Sequence, residues 1–456
     1  MTAATHFRKL FTKKNLSRVY NDKIRGSGTV GIDRVHPEAL NKNISTELTI
    51  VVKKVSSGSY RFTPFKEKLI SKGAQSVPRV ISIPTTRDRI VLRALCDLLA
   101  RVFPDAVSDI PQVKIDALGK ALASGVYQEY VKIDLRQFYP SIVHDKLLKA
   151  LKVRIRKGEI LALLEGAITT PTVPGQKGGK GAKRNLIGIP QGLAISNILA
   201  EIFLVKLDAD MAGKPNLWYQ RYVDDILILC PAGTSTQVAD DMCARLEKLE
   251  LKSHRLNEEN SKSKAGVLAD EFDFLGYRVA GGDLSIRKQS IHKFESAIAK
   301  IFTAYHHKLL MAKTPADKQR ALDICEWRLN LRITGCIFGG RRLGWVFYFS
   351  QITDVSRLRA VDHTISSLLQ RFKLAGKIGV KRLLKTFYEC RRKDKSKHHY
   401  IPNFDEMPTD ERREILKRLL GSKKISGLSD KRVNQLFEMK IGAAVKELEQ
   451  DLGGTS

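Results

Sequence analysis

The sequence predicts an α+β protein, and three observations carry that expectation. Tyr130-Val131-Lys132-Ile133 alternates and ends on Asp134, the pattern of a strand whose last residue is acidic. Two short apolar runs between Trp218 and Cys230 meet at Asp224-Asp225, the pattern of a hairpin with acids at its turn. Beyond about residue 285 the apolar spacing is mostly helical.

The chain has 456 residues, enough at roughly 150 per domain for about three domains and at least one large core. With 43% hydrophobic and 28% charged residues it is too apolar for a disordered chain. Lys plus Arg number 79 against 48 Asp plus Glu, a net charge of +31. That excess favours a polyanionic partner, nucleic acid foremost; the alternative is a solvated basic surface. No run approaches the ~20 apolar residues that span a bilayer, and Met1 to Arg25 lacks an apolar signal core, so no membrane or export is expected. Cys96, Cys230, Cys243, Cys325, Cys336 and Cys390 form no CxxC pair, which argues against a zinc site or a disulfide framework and fits a reducing cytoplasm.

Along the chain, Gly26-Ser27-Gly28 punctuates a basic amphipathic start. Residues 79 to 103 predict a strand, a turn and a helix capped by Thr85 or Thr86. Pro140-Ser141 opens a helix, and Thr169 to Lys183, rich in Gly, Pro and Lys, reads as a mobile basic loop. Leu193 to Leu204 predicts a mostly buried helix. Further on, Gly339-Gly340-Arg341-Arg342 reads as a turn, Arg391 to His399 as a charged linker and Thr409 to Gly453 as amphipathic helix.

The acids carry the chemistry. Phosphoryl transfer asks for carboxylates that hold two divalent metals roughly 4 Å apart, across the attacking and leaving oxygens. Hard oxygen ligands suit magnesium. Asp134 and the pair Asp224-Asp225 supply such groups if adjacent strands of one sheet bring their ends together. An isolated Asp-Asp pair is more often a solvated turn. This one is flanked by Tyr222-Val223 and by Ile226-Leu227-Ile228-Leu229, so two acids stand where two buried strands would otherwise close on a neutral turn.

At these residues the chain resembles a reverse transcriptase. Tyr222-Val223-Asp224-Asp225 matches the family's YxDD box, Ile133 to Ile142 resembles its first aspartate motif, and Ile189-Pro190-Gln191-Gly192-Leu193-Ala194-Ile195-Ser196-Asn197 resembles its PQG box. Arg79 to Arg93 is similar to the upstream fingers motif of bacterial members. Gly31-Ile32-Asp33 and Phe274-Leu275-Gly276-Tyr277 extend the match over roughly the first 280 residues. The resemblance implies a right-hand polymerase fold: fingers over 1–125 with a second segment at 145–188, palm over 126–285, helical thumb over 286–400 and a helical C-terminal extension over 401–456. It implies that Asp134, Asp224 and Asp225 bind two magnesium ions, manganese being the alternative, with the Leu135 carbonyl as an extra ligand. Tyr139 would stack under the sugar and exclude a 2′-hydroxyl; its alternative is a core tyrosine. Gln191 and Gly192 would lie beside the incoming nucleotide, where glycine permits close backbone approach. Arg79 and Arg89 would face phosphate, or else be ordinary surface charges. One feature departs from the pattern: relatives often carry Leu-Asn-x-x-Lys-Thr, whereas Leu256-Asn257-Glu258-Glu259 continues as Asn260-Ser261-Lys262-Ser263-Lys264. Lys262 and Lys264 therefore compete for a role at the leaving pyrophosphate, and a solvated loop is the third option.

The subtype rests on the last 170 or so residues. Leu331 to Phe338, Gly344 to Phe349 and Tyr400-Ile401-Pro402-Asn403-Phe404 are similar to segments of the bacterial defence-associated and "unknown group" reverse transcriptases, related to retron and group II intron enzymes. No retron-type VTG triplet and no Cys/His endonuclease cluster is present, and His306-His307 and His398-His399 read as surface histidines. The resemblance implies cDNA synthesis from dNTPs on an RNA template, a noncoding RNA, in antiphage defence. Lys373, Lys377, Lys381, Arg382, Lys385, Arg391, Arg392 and Lys393 would grip a duplex backbone. The terminal amphipathic helices have three open roles: to pack on the thumb, to bind a partner such as a second defence protein, or to join copies of the chain in a homo-oligomer. Three rivals stay open: a maturase-like RNA-binding protein without polymerase activity, a retron-type enzyme, and an RNA-dependent RNA polymerase, against which Tyr139 argues.

Overall fold

The structure is a computed structural model that describes residues 1–71, 77–175, 181–392 and 400–452, with side chains to 449. Its contacts form two compact units, residues 1–109 with 127–266, and residues 110–126 with 267–456.

In chain order the strands of the first unit are β1 (Phe65–Ile70), β2 (Arg79–Ile83), β3 (Glu129–Asp134), β4 (Thr172–Val173), β5 (Trp218–Tyr222), β6 (Asp225–Cys230) and β7 (Lys264–Val267). One sheet has the order β5-β6-β3-β7, with β6 antiparallel to both β5 and β3. A smaller sheet has the order β2-β1-β4. The class is α+β, with helices packed beside mainly antiparallel sheets, as the sequence predicts.

Helices bury one side of the larger sheet. Val131 and Ile133 of β3 and Ile226 and Ile228 of β6 are fully buried in one continuous core with the helices Thr86–Val102 and Ser196–Ala212. Removing a Leu or Ile side chain of this kind from water contributes roughly 1.5–3 kcal/mol each. Ser196–Ala212 is buried on nearly every side, and its sequence is correspondingly apolar. Thr85, rather than Thr86, caps the helix Thr86–Val102 by accepting from the Asp88 amide. Asp88 is itself buried, and accepts from the Tyr60 and Thr85 hydroxyls and the Thr63 amide. Burial nonetheless leaves its carboxyl above the ordinary aspartate range.

Three local readings shift. The predicted loop from Thr169 contains β4, whose Thr172 and Val173 pair in parallel with Phe65 and Lys66; two adjacent β-formers suffice to extend an edge. Residues 176–180 of that loop lie outside the described residues. The helix expected from Leu193 begins at Ser196, whose hydroxyl donates to the Pro190 carbonyl, and runs on to Ala212. Pro140-Ser141 ends a short helix, Phe138–Ser141, and the longer helix starts at His144.

In the second unit β8 (Phe272–Phe274), β9 (Tyr277–Ala280) and β10 (Asp283–Ile286) form an antiparallel meander, and β11 (Cys336–Phe338) and β12 (Arg341–Leu343) a hairpin. Between β8 and β9, Leu275 and Gly276 both have positive φ, 49° and 80°, as a two-residue I′ turn requires. The aromatic run after Gly344 is core: Trp345 stacks on Phe294 with centroids 4.4 Å apart, and the Tyr348 hydroxyl donates to the Leu275 carbonyl. Leu416, Val433, Phe437 and Ile441 of the terminal helices share a buried cluster with Leu331, Cys336 and Leu343. Of the predicted features, Lys393 and His398-His399 lie outside the described residues.

Candidate active site

Two strand ends and one turn build the site. Register pairs Asp134, the last residue of β3, directly with Asp225, the first of β6. Directly opposed residues in such a ladder hold their Cβ atoms about 4.5–5.5 Å apart, so the two carboxylates share one end of the sheet. Tyr222 pairs with Asp225 on the other side, which leaves Val223 and Asp224 as a two-residue turn. Val223 has φ 57°, a conformation in which a β-branched residue is an outlier. The Asp224 carbonyl accepts from the Leu135 amide at 3.4 Å, tying the turn to the end of β3. The three aspartates named from sequence, with Leu135, therefore converge.

Their charges oppose one another. The Asp225 carboxyl is pushed up to about 6, first by burial and then by the negative charges of Asp224 and Asp134, with Lys132 acting the other way. Lys132 lies two residues before Asp134 on the same face of β3, and its Nζ stands 3.3 Å from Asp225 Oδ1. Asp134 is held by groups that sequence reasoning missed. Its main-chain N–H donates to Ser263 Oγ at 3.1 Å, its carbonyl accepts from the His254 amide at 3.0 Å, and His254 Nε2 is 3.7 Å from its Oδ2. Glu258 lies on the far side of that imidazole and pairs with Arg136.

Among the described residues no three His, Cys, Asp or Glu side chains close on a single point as a finished metal cage. The donor set nevertheless suits a hard divalent cation: three aspartates share one sheet end, burial and the neighbouring acids raise the Asp225 carboxyl, and Lys132 is the positive charge beside it.

The remaining candidates lie as follows. Tyr139 is half-buried, and its hydroxyl donates to Asn197 Oδ1 at 3.2 Å. The phenol is pushed up to about 12 by burial and by the charges of Glu201 and Asp224, while Arg79 acts in the opposite sense. The exposed Arg79 thus belongs to the same electrostatic neighbourhood as Tyr139 and Asp224. Gln191 accepts from the Ser82 amide at 2.7 Å through its carbonyl, docking the PQG loop on β2. Gly192 follows with φ 100°, where a Cβ would stand 2.7 Å from Ile81 Cγ2 and 3.0 Å from the Ser82 carbonyl; only glycine fits. Arg89 is half-buried and donates to the Thr29 carbonyl at 3.2 Å, so part of its fork is spent on backbone. Lys262 and Lys264 are both exposed and flank the buried Ser263.

Of the basic residues assigned to duplex binding, Lys381 donates to the Tyr400 carbonyl, and Lys381 and Lys385 both lie over the Tyr400 ring. Arg391 donates to the Ile352 carbonyl. These side chains are partly committed to their own unit. Among the described residues no helix is long and apolar enough to cross a membrane.

Residues 70–279 match the family described as reverse transcriptase (RNA-dependent DNA polymerase). Protein YkfC of Escherichia coli is 25% identical over 366 residues, 69% of this chain and 88% of YkfC. A putative COX1/OXI3 intron 2 protein of Saccharomyces cerevisiae is 24% identical over 197 residues, 42% of this chain but 22% of that protein. Among solved structures, telomerase from Candida albicans in complex with a fragment of telomeric RNA matches with a TM-score of 0.43 at 14% identity, over 88% of this chain and 68% of that one. The RNA-dependent RNA polymerase of a human picorbirnavirus matches with a TM-score of 0.38 at 14% identity, over 58% and 55%.

Proposed function

We propose, from the premise that residues 70–279 are the reverse transcriptase domain of an RNA-directed DNA polymerase, that this chain synthesises cDNA from dNTPs on an RNA template. The observation that carries the reading is the direct pairing of Asp134 with Asp225, with Asp224 in the adjoining turn. Asp134, Asp224 and Asp225 would hold two magnesium ions, with the Leu135 carbonyl as a further ligand. Such ions stabilise the charge that develops on the attacking and leaving oxygens. The chain's own contribution is position: Ser263 and the His254 amide fix the end of β3, and the Asp224 carbonyl is tied to the Leu135 amide. Tyr139 would exclude a 2′-hydroxyl, Gln191 and Gly192 would border the nucleotide, and Arg79 and Arg89 would contact phosphate.

The subtype belongs to the same proposal. The similarity of Leu331 to Phe338 and of Gly344 to Phe349 to defence-associated enzymes supports a noncoding RNA template and an antiphage role. The +31 charge supports the RNA partner. The test is incorporation of each labelled dNTP and NTP by purified protein with its bound RNA and magnesium, beside Asp224→Ala and Asp225→Ala. Incorporation of dNTPs that both variants abolish is the expected result, and sequencing the product identifies the template. RNA retained without incorporation would instead make the chain an RNA-binding protein of the maturase kind, and incorporation of NTPs alone would make it an RNA polymerase.

A further inference from the structure

We propose that Arg221 is a positioning residue for the Asp224-Asp225 turn, clamping the Val223 carbonyl to the helix Ser196–Ala212; this rests on the polymerase reading above. The guanidinium is almost wholly buried and every edge of it is used. Nε and Nη2 donate to the two carboxylate oxygens of Asp208, at 2.9 and 2.6 Å. Nη2 also donates to Glu201 Oε2 at 2.6 Å, and Nη1 to the Val223 carbonyl at 2.8 Å.

Geometry makes this specific. Glu201 and Asp208 are seven residues apart, two helical turns, and so share one face of the helix Ser196–Ala212. That helix follows directly on the Gln191-Gly192 loop. Tyr219, two residues before Arg221 on the same face of β5, donates its hydroxyl to Asp208 Oδ1 at 2.7 Å and fixes the acceptor. Burial works against the Arg221 charge, but the hydrogen bonds and charges of Asp208 and Glu201 outweigh it and hold the guanidinium protonated above its ordinary value.

The clamp answers a local difficulty. Val223 has positive φ at the first central position of a two-residue hairpin, a place that ordinarily takes glycine. A non-glycine residue there is strained and persists only when its surroundings over-determine it. Arg221 supplies that determination through the carbonyl of the strained residue itself. Lysine keeps the charge but cannot serve Asp208, Glu201 and Val223 together, because only the planar fork presents donors in three directions.

Two measurements test this on the full chain. Amide hydrogen exchange of the peptide covering residues 218–230 should quicken about tenfold or more in Arg221→Lys, beyond any general increase that the lost buried bonds bring to peptides distant from the turn. In nucleotide incorporation, Arg221→Lys should lower kcat on the order of a hundredfold, the cost typical of a small misplacement, with the KM for dNTP unchanged. The loss should shrink severalfold when Val223→Gly is introduced, since glycine takes positive φ without help. Unchanged exchange in the 218–230 peptide, or an equal loss with valine and with glycine at position 223, would overturn the proposal. Should Arg221→Lys not fold, Asp208→Asn carries the same exchange comparison, because it keeps one oxygen for the guanidinium and removes the other. A wild-type protein that incorporates nothing would sink the polymerase reading, while the exchange measurement still decides whether Arg221 holds the turn.

Discussion

Ser263 Oγ accepts a 3.1 Å hydrogen bond from the main-chain N–H of Asp134, joining residues 129 positions apart at the end of β3. Ser263 is buried between two exposed lysines, and its partner is the backbone of the aspartate that faces Asp225. Ser263→Ala removes the acceptor and leaves that N–H poorly served, at a cost of about 1 kcal/mol or somewhat more. Denaturant unfolding should register that loss, and nucleotide incorporation should fall in kcat more than in KM. Ser263→Thr keeps the oxygen and should retain more activity than the alanine variant.

Asp225 sets a pH and metal signature. Its carboxyl is raised from the ordinary aspartate value near 3.8 to about 6, so the folded chain binds a proton that the unfolded chain has already released in that interval. Stability therefore falls as pH rises from about 4 to about 6, and the penalty is fully present at neutral pH. Asp225→Asn should gain about 1–3 kcal/mol at pH 7 without added divalent ion, and should lose this advantage below about pH 4. Adding magnesium should raise the melting temperature of the wild-type chain and not of the variant. Thermal unfolding with and without chelator, across pH, checks both.

Gly192→Ala should displace the PQG loop from β2. The new methyl would meet Ile81 Cγ2 and the Ser82 carbonyl, and the residue would sit at φ 100°. The strain is on the order of 1–3 kcal/mol. Because the loop is docked by the 2.7 Å bond from the Ser82 amide to the Gln191 carbonyl, the expected result is a higher KM for dNTP at measurable residual kcat, read from steady-state incorporation.

Tyr139 separates shape from hydrogen bonding. Tyr139→Ala or Tyr139→Val removes the ring and should relax discrimination between deoxynucleotides and ribonucleotides. Tyr139→Phe removes only the 3.2 Å bond to Asn197 and should preserve it. Unchanged selectivity in Tyr139→Ala would take this residue out of the gate role.

Much of the site was legible in adjacent residues. Alternation in Tyr130 to Ile133 located a strand ending in acid, the two apolar runs around Asp224-Asp225 located a hairpin, and Thr85 was one of two candidates for the cap it forms. Each is a local matter of side-chain period or turn chemistry, and neighbours in sequence suffice to express it. Two further features, the Lys132 spacing from Asp134 and the Arg221 spacing from Asp224, were present in the text but carried no signal without a partner.

Sequence by itself therefore determined the α+β class and the two acidic strand ends, while the need for glycine after Gln191 came from the φ of 100° and the closeness of Ile81 and Ser82. Tertiary structure alone decided that Ser263 serves the Asp134 amide, that Lys132 faces Asp225, that Arg221 grips Glu201, Asp208 and Val223 at once, and that residues 110–126 join the unit formed by 267–456. The reason is physical. Backbone conformation answers to a few neighbouring side chains, whereas the partner of a buried polar group is fixed by strand register and by which helix face closes over it, and these are set by the packing of the whole core.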